Sequence, residues 1–198
     1  MIAVIDVSGN NLTSLTNALK RLGCDYKLTH EAQDLLAASH VILPGVGAAA
    51  AGMEALKHYR LVDVLKQLTQ PLLGICLGMQ LLLEYSEEGQ VNCLNRIPGQ
   101  VKRLPALSNY PVPHMGWSKL QWTKITSLSE GLSAEDYVYF VHSYALLNDE
   151  NALAKCQYSE QFTAIVQYEN VYGMQFHPEK SAEPGLKLLN NFLLLEAS

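Results

Sequence analysis

Residues 71–83, PLLGICLGMQLLL, constrain this chain more than any other stretch. An apolar run at 71–75 stops at a cysteine held between Gly74 and Gly78, and an amphipathic run begins at once. This is the grammar of a strand, a sharp turn and a helix, a nucleophile elbow with Cys76 where G-x-S-x-G hydrolases carry serine. The flanking glycines fit, because so tight a turn brings backbone and neighbouring chain too close for a Cβ. A thiol on such a turn projects at the N-terminus of the next helix, whose partial positive charge favours thiolate. The competing reading is a buried core cysteine.

An elbow needs a sheet to hang from, and the first half of the chain supplies one. Residues 2–7 are an apolar run broken only by Asp6, which suits a strand buried on both faces. Residues 8–11, SGNN, are turn chemistry, with Asn11 placed to cap a helix. Leu12, Leu15, Leu19 and Leu22 share one face of that helix, and Gly23 ends it. Strands at 26–28 and 41–43 enclose a helix at 32–38, so the chain opens β-α-β-α-β. Helices at 49–58 and 61–68 lead to the elbow strand.

Beyond the elbow helix, strands are predicted at 101–104, 119–122, 137–141, 152–158, 163–167 and 171–176, with a proline-rich segment at 105–113. Pro184 is expected to open the last helix, docked through Leu186, Leu189 and Leu193. The expected fold is an α/β, doubly wound open sheet, mainly parallel, with an antiparallel portion in the C-terminal half. No linker divides residues 1–198, so one domain is expected.

Composition narrows the functions. With 48% apolar residues in 198, the chain can bury a full core. A net charge of −5 argues against nucleic acid as the main partner. No apolar stretch reaches membrane-spanning length, and the first residues lack a basic n-region. The four cysteines, Cys24, Cys76, Cys93 and Cys156, are scattered without C-x-x-C, which points to a reducing cytoplasm. Glu87 and Glu88 read as a solvated loop.

A cysteine nucleophile needs a base, an orienter for that base and donors for an oxyanion. The clearest base is His177, in the run GMQFHPE at 173–179. Pro178 holds His177 extended, and in an extended segment Glu179 projects on the same side. A carboxylate there fixes the imidazole tautomer and stabilises imidazolium. Alone, His-Pro-Glu would be an ordinary turn; beside an elbow cysteine it is a candidate catalytic pair. For the oxyanion, one N–H is that of Leu77 and the other comes from the loop at 44–47, PGVG, from Val46 or Gly47. That loop could equally be a plain tight turn. His30, His40 and His58 read as surface residues, whereas His114 and His142 sit among apolar and aromatic neighbours. No histidine pair has metal-ligand spacing, and there is neither a Walker P-loop nor G-x-G-x-x-G after the first strand. Neither a metal nor another cofactor is expected.

Together these motifs resemble the class I (triad) glutamine amidotransferases, and more narrowly the glutaminase subunits of imidazole glycerol phosphate synthase. The resemblance runs through LPGVGA at 43–48, PLLGICLGMQLL at 71–82, SEE at 86–88, PHMGW at 113–117, YFVHSY at 139–144, GMQFHPEKS at 173–181 and GLKLLNNF at 185–192. It implies a Cys76, His177, Glu179 triad that hydrolyses L-glutamine through a thioester, with Val46, Gly47 and Leu77 at the oxyanion hole. It further implies that Gly45, Gln80, Ser143 and Tyr144 hold the substrate. The ammonia would pass to a (β/α)8 cyclase partner, faced by Asn11, His114, Met115, Trp117, Tyr139 and Lys180. The cyclase would use it in histidine biosynthesis, in the cytoplasm.

Two stretches depart from the family. Residues 6–11 read DVSGNN where relatives often have Asp-Tyr-Gly-x-Gly-Asn, and residues 93–97 read CLNRI where relatives more often have GLGLI. Both lie outside the triad and bear on partner coupling. Three alternatives stay open: a paralogue serving a different acceptor enzyme, a non-catalytic homologue used as a binding module, and a cysteine hydrolase acting on peptides.

Overall fold

The computed structural model describes residues 1–7, 12–147 and 150–196. The helix-capping role expected of Asn11 therefore falls outside the described residues. The elements run β1 (Ile2–Ile5), α1 (Thr13–Arg21), β2 (Tyr26–Thr29), α2 (Ala32–Ala37), β3 (His40–Gly45), α3 (Ala49–His58), α4 (Val62–Gln67), β4 (Leu72–Cys76) and α5 (Leu77–Leu82). They continue with β5 (Tyr85–Ser86), β6 (Val91–Asn92), β7 (Gln100–Arg103), β8 (His114–Lys119), β9 (Gln121–Trp122), β10 (Tyr137–His142) and β11 (Tyr144–Leu146). The last elements are β12 (Ala152–Gln157), β13 (Gln161–Tyr168), β14 (Val171–Met174) and α6 (Ala182–Leu193), with 3-10 turns at Ser127–Ser129 and Pro178–Lys180.

The main sheet has eight strands in the order β2-β1-β3-β4-β14-β13-β12-β9. From β2 to β14 every pairing is parallel, and from β14 to β9 every pairing is antiparallel. Strands β1 and β4 are buried along their whole length, as their unbroken apolar runs require. One core packs α1 and α6 on one face through Leu15, Leu19, Leu188, Leu189 and Phe192. The other packs α2 to α5 on the opposite face through Leu35, Met53, Leu56, Leu65 and Leu81. Helices on both faces of a mainly parallel open sheet make the doubly wound α/β fold. Gly23, at φ +71, closes α1 as expected: its N–H meets the Lys20 carbonyl and the Cys24 N–H meets Leu19.

Several expectations need correction. The strand predicted at 119–122 is two strands: β8 pairs with β10 in a small separate sheet, while β9 joins the main sheet beside β12. Buried Leu120 lies between them. Pro184 sits inside the first turn of α6 rather than opening it, since the helix starts at Ala182. That position tolerates proline because the first-turn N–H groups have no intrahelical partner. Leu189 is buried as expected, but Leu188 and Phe192 complete the docking face while Leu186 and Leu193 are half-buried. His40 is buried as well, with Nε2 2.9 Å from the Leu195 carbonyl oxygen. His30 and His58 are exposed.

Candidate active site

Sheet register assembles the site. Gly45 lies opposite Cys76, and Met174 lies opposite Ile75. The loop after β3, the elbow after β4 and the segment after β14 therefore meet at the C-terminal edge of three adjacent strands, where open α/β sheets place their ligands.

Cys76 adopts φ 52 and ψ −111, a strained conformation for a residue with a side chain. Close packing holds it there. A Cβ on Gly78 would lie 1.8 Å from the Leu43 carbonyl oxygen, and one on Gly74 would lie 2.6 Å from the Gly78 carbonyl group. The elbow is thus wedged between β3 and its own helix. Cys76 Sγ sits 3.9 Å from the Val141 carbonyl oxygen and 4.0 Å from Gln175 Nε2.

His177 is extended ahead of Pro178, and its Nδ1 lies 2.8 Å from Glu179 Oε1. The contact forms for a different reason than simple alternation, because the chain turns into the 3-10 turn Pro178–Lys180 straight after His177. Ser181 fixes that turn. Its hydroxyl donates to the His177 carbonyl (2.6 Å) and accepts from the Tyr139 N–H (2.9 Å). The His177 N–H in turn donates to the Tyr139 carbonyl at 3.0 Å. The other imidazole nitrogen, Nε2, is buried, and no hydrogen-bond partner is seen for it among the described residues. Burial pulls the His177 pKa down, but the Cys76 sulfur and the Glu179 carboxylate outweigh it and push it up to about 9.

Cys76 and His177 open on a cavity of about 600 Å³ that is also lined by Val46, Gly47, Leu77, Gln80, Ser143 and Tyr144. The expected oxyanion and substrate residues thus gather around one space, apart from Gly45. Gly45 borders a second cavity of about 230 Å³ on the other side of His177, together with Glu179 and Lys180. Val46 is 48% exposed and Gly47 has φ +97, so this loop stands away from the packed core. Gln80 is buried, and its amide donates to the Tyr144 carbonyl (2.9 Å) and to Gln175 Oε1 (3.0 Å).

The expected partner-facing residues divide. On β8, Met115 and Trp117 are 64% and 51% exposed, and Tyr139 opposes Trp117 on β10. Lys180 is exposed beside the smaller cavity, and Asn11 lies outside the described residues. His114 is the correction: it is 2% exposed and cannot face a partner from this position. Strand alternation explains it, since Met115 and Trp117 point out and His114 points in.

Sequence reasoning missed three residues. Glu88, taken for a solvated acid, lines the large cavity and accepts from the Ala49 N–H at 3.2 Å. Burial raises its pKa and the Ala49 bond opposes the rise. Gln175 is fully buried beside the sulfur, and Ser181 pins the His177 backbone. A polar residue at the end of an apolar strand was the available signal for Gln175, since buried polar groups need partners.

The family model for class-I glutamine amidotransferases matches residues 3–195. The chain belongs to that family. It is 67% identical over 198 residues to imidazole glycerol phosphate synthase subunit HisH 2 of Legionella pneumophila (strain Paris), covering 100% of both chains. To the HisH subunit of Idiomarina loihiensis it is 48% identical over 194 residues, covering 98% of this chain and 97% of the relative. Among solved structures, a glutamine amidotransferase from Thermotoga maritima superposes with a TM-score of 0.65 at 18% identity, covering 97% of this chain and 95% of that one. At that identity the likeness shows the amidotransferase fold alone. No helix among the described residues is long and apolar enough to cross a membrane.

Proposed function

We propose that the larger cavity is a glutaminase centre acting as the ammonia source of an imidazole glycerol phosphate synthase. The observation that carries this reading is a strained cysteine beside an imidazole whose far nitrogen bonds a carboxylate at 2.8 Å. The Cys76 thiolate adds to the side-chain amide carbon of glutamine, and the amide oxygen becomes an oxyanion. Leu77 and the Val46–Gly47 loop supply its N–H donors. Protonated His177 gives its proton to the amide nitrogen, the C–N bond breaks, and ammonia leaves a glutamyl thioester on Cys76. Water then attacks the thioester with His177 as base, and collapse expels the Cys76 thiolate and the glutamyl acid, which ionises to glutamate, so that thiolate and imidazolium are restored. Glu179 stabilises the imidazolium throughout. No cofactor enters this sequence.

The amino-acid end of glutamine rests against Ser143 and Tyr144, a backbone that Gln80 holds. The carboxylate of Glu88 in the same cavity is a counter-charge for the α-ammonium group. Residues 1–198 act as one domain that pairs with a cyclase subunit through the exposed Met115, Trp117 and Lys180 face, in the cytoplasm. Ammonia passed directly to the partner escapes protonation in water. Because the Val46–Gly47 loop is exposed, the isolated chain is a weak glutaminase that gains activity when the partner is bound and occupied.

Replacing Cys76 with alanine tests the chemistry. In the complex, glutamine-dependent synthesis is lost while synthesis from added ammonium salt persists. Glutamine-dependent turnover in that variant would overturn the mechanism.

A second reading has one specific observation behind it. The 67% identical relative carries the number 2 in its name, whereas the 48% identical relative does not. We propose as the second reading that such a numbered copy serves a different acceptor enzyme, to which the same glutaminase chemistry would deliver ammonia. Complementation of a strain lacking its HisH subunit separates the two: growth without histidine supports the first reading, and failure alongside active glutaminase supports the second.

A further inference from the structure

Two buried histidines, His142 in the wall of the cavity and His114 behind it, have no part in the chemistry above. His114 on β8 and His142 on β10 face each other as a cross-strand pair. The His142 Nδ1 lies 2.8 Å from the Tyr144 carbonyl oxygen, which can only accept, so Nδ1 carries the hydrogen. In a neutral ring the other nitrogen must then accept. His142 Nε2 lies 3.2 Å from His114 Nδ1, which is therefore a donor, and this leaves His114 Nε2 to accept from Ser118 Oγ at 3.0 Å. One backbone carbonyl thereby fixes the protons of three side chains.

The pair is locked sterically as well. The His114 ring stacks on Tyr158 at 3.9 Å and on Phe140 at 4.9 Å, between centroids. Desolvation keeps both rings neutral, lowering His114 to about 4 and His142 to about 3. The line then continues to the nucleophile. The same Tyr144 carbonyl accepts from Gln80, Gln80 bonds Gln175, and Gln175 approaches the Cys76 sulfur.

We propose that the His114–His142 pair is a positioning element of the glutaminase centre, clamping the Ser143–Tyr144 peptide where glutamine's amino-acid end rests. Among the described residues no hydrogen bond joins either ring to the Cys76 sulfur, and the pair is assigned no proton transfer. It holds the Tyr144 carbonyl in place from one side while Gln80 holds it from the other. A bare apolar pair could fill the same space but could not fix the direction of that carbonyl. The proposal rests on the glutaminase reading.

The test compares His114→Asn with His114→Gln in the complex with the cyclase partner. Asparagine places its amide nitrogen near the Nδ1 position and keeps the donor to His142. Glutamine reaches the Nε2 position, keeps only Ser118 and leaves His142 Nε2 unpaired. Both lose the ring, so both lose stacking alike and should melt at similar temperatures. The expected result is a KM for glutamine about tenfold higher in His114→Gln than in His114→Asn, as one buried hydrogen bond is worth, with kcat differing less than about threefold. Equal KM values would mean that the ring only packs, and the proposal would fall. A wild-type complex unable to hydrolyse glutamine would instead sink the glutaminase reading itself.

Nitrogen-15 NMR of the unsubstituted full chain gives a measurement independent of folding in the variants. Both imidazoles should show the Nδ1–H tautomer; an Nε2–H tautomer at either histidine overturns the proposal.

Discussion

The elbow and the Val46–Gly47 loop sit side by side at one sheet edge, joined by the register of Gly45 with Cys76, and both are written in glycine. Their glycines serve opposite ends. At the elbow the need is space: a Cβ on Gly78 would overlap the Leu43 carbonyl oxygen at 1.8 Å, and one on Gly74 would meet Gly78 at 2.6 Å. In the loop the need is conformation: Gly47 has φ +97, yet a Cβ there would meet nothing within 4 Å. One set of glycines locks Cys76 into a strained pose by crowding. The other leaves the loop's candidate oxyanion donor outside the packed core, while Leu77 stays buried at the elbow. A centre built this way holds its sulfur ready while the loop donor keeps room to shift, in keeping with the proposal of a glutaminase that waits for its partner.

The largest expected effect tests the crowded side. Gly78→Ala forces backbone overlap that no rotamer relieves, so the chain should lose at least about 4 kcal/mol and fail to accumulate as folded protein. Circular dichroism and urea unfolding of the purified variant check this. A Gly78→Ala protein of near-native stability would remove the crowding argument.

The same contrast explains what the sequence made legible. Crowding leaves local marks, and the run GICLG between an apolar strand and a leucine-rich helix is readable without a structure. The parallel half was readable for the same reason, since doubly buried strands such as β1 and β4 are unbroken apolar runs. The antiparallel half was less so. Strand β8 contains Gly116 and alternates buried His114 with exposed Met115, a pattern that mimics a loop until β10 pairs with it. Glu88 and Gln175 enter the site through folding of distant segments, and no local pattern separates a cavity-lining acid from a solvated one. The Cys76, His177 and Glu179 cluster could be anticipated because Cys76 ends β4 and the segment holding His177 and Glu179 follows β14, its neighbour in the sheet, so that topology brings them to a common edge.

The next effect concerns His177, the proposed base beside the locked sulfur. Glu179→Gln keeps a hydrogen-bonding group near His177 Nδ1 but removes the charge that favours imidazolium. Glutaminase kcat/KM in the complex should fall about 100-fold, equivalent to about 2.7 kcal/mol of transition-state stabilisation. Stability should change far less, which steady-state kinetics and thermal melting on one preparation would show. A change under about threefold would mean that the ring needs no charged orienter.

Acid probes the packed side without a mutation. His114 and His142 are held neutral, with pKa values lowered to about 4 and about 3 by burial. Their contribution to stability is fully present above the unfolded value near 6.5. It is lost as pH falls through 6.5 toward the folded values, because the unfolded chain takes up protons that the folded chain refuses. His40, also lowered by burial, adds in the same direction. His177 has the opposite sign, its contribution being present below 6.5 and lost as pH rises toward about 9. Unfolding free energies measured in urea at pH 7, 6 and 5 should therefore fall, by up to about 1.4 kcal/mol per pH unit for each neutral histidine. A flat profile over that range would mean that these imidazoles accept protons in the folded state.

The smallest expected effect on stability falls on the open side, and it isolates conformation from crowding. Gly47→Ala adds a methyl group with no atom within 4 Å, so its only cost is holding a side chain at φ +97. That cost is about 1 kcal/mol, against the several expected for Gly78→Ala. Chemical unfolding should show a small drop with an unchanged m-value, since the loop is exposed in the folded chain too. Glutaminase in the complex should fall by much more than this drop in stability, because the substituted loop is restricted in how it can turn an N–H toward the cavity. If activity and stability fell together by only a few-fold, the loop would be a tight turn and nothing else. The second donor for the oxyanion would then have to come from elsewhere on the cavity wall.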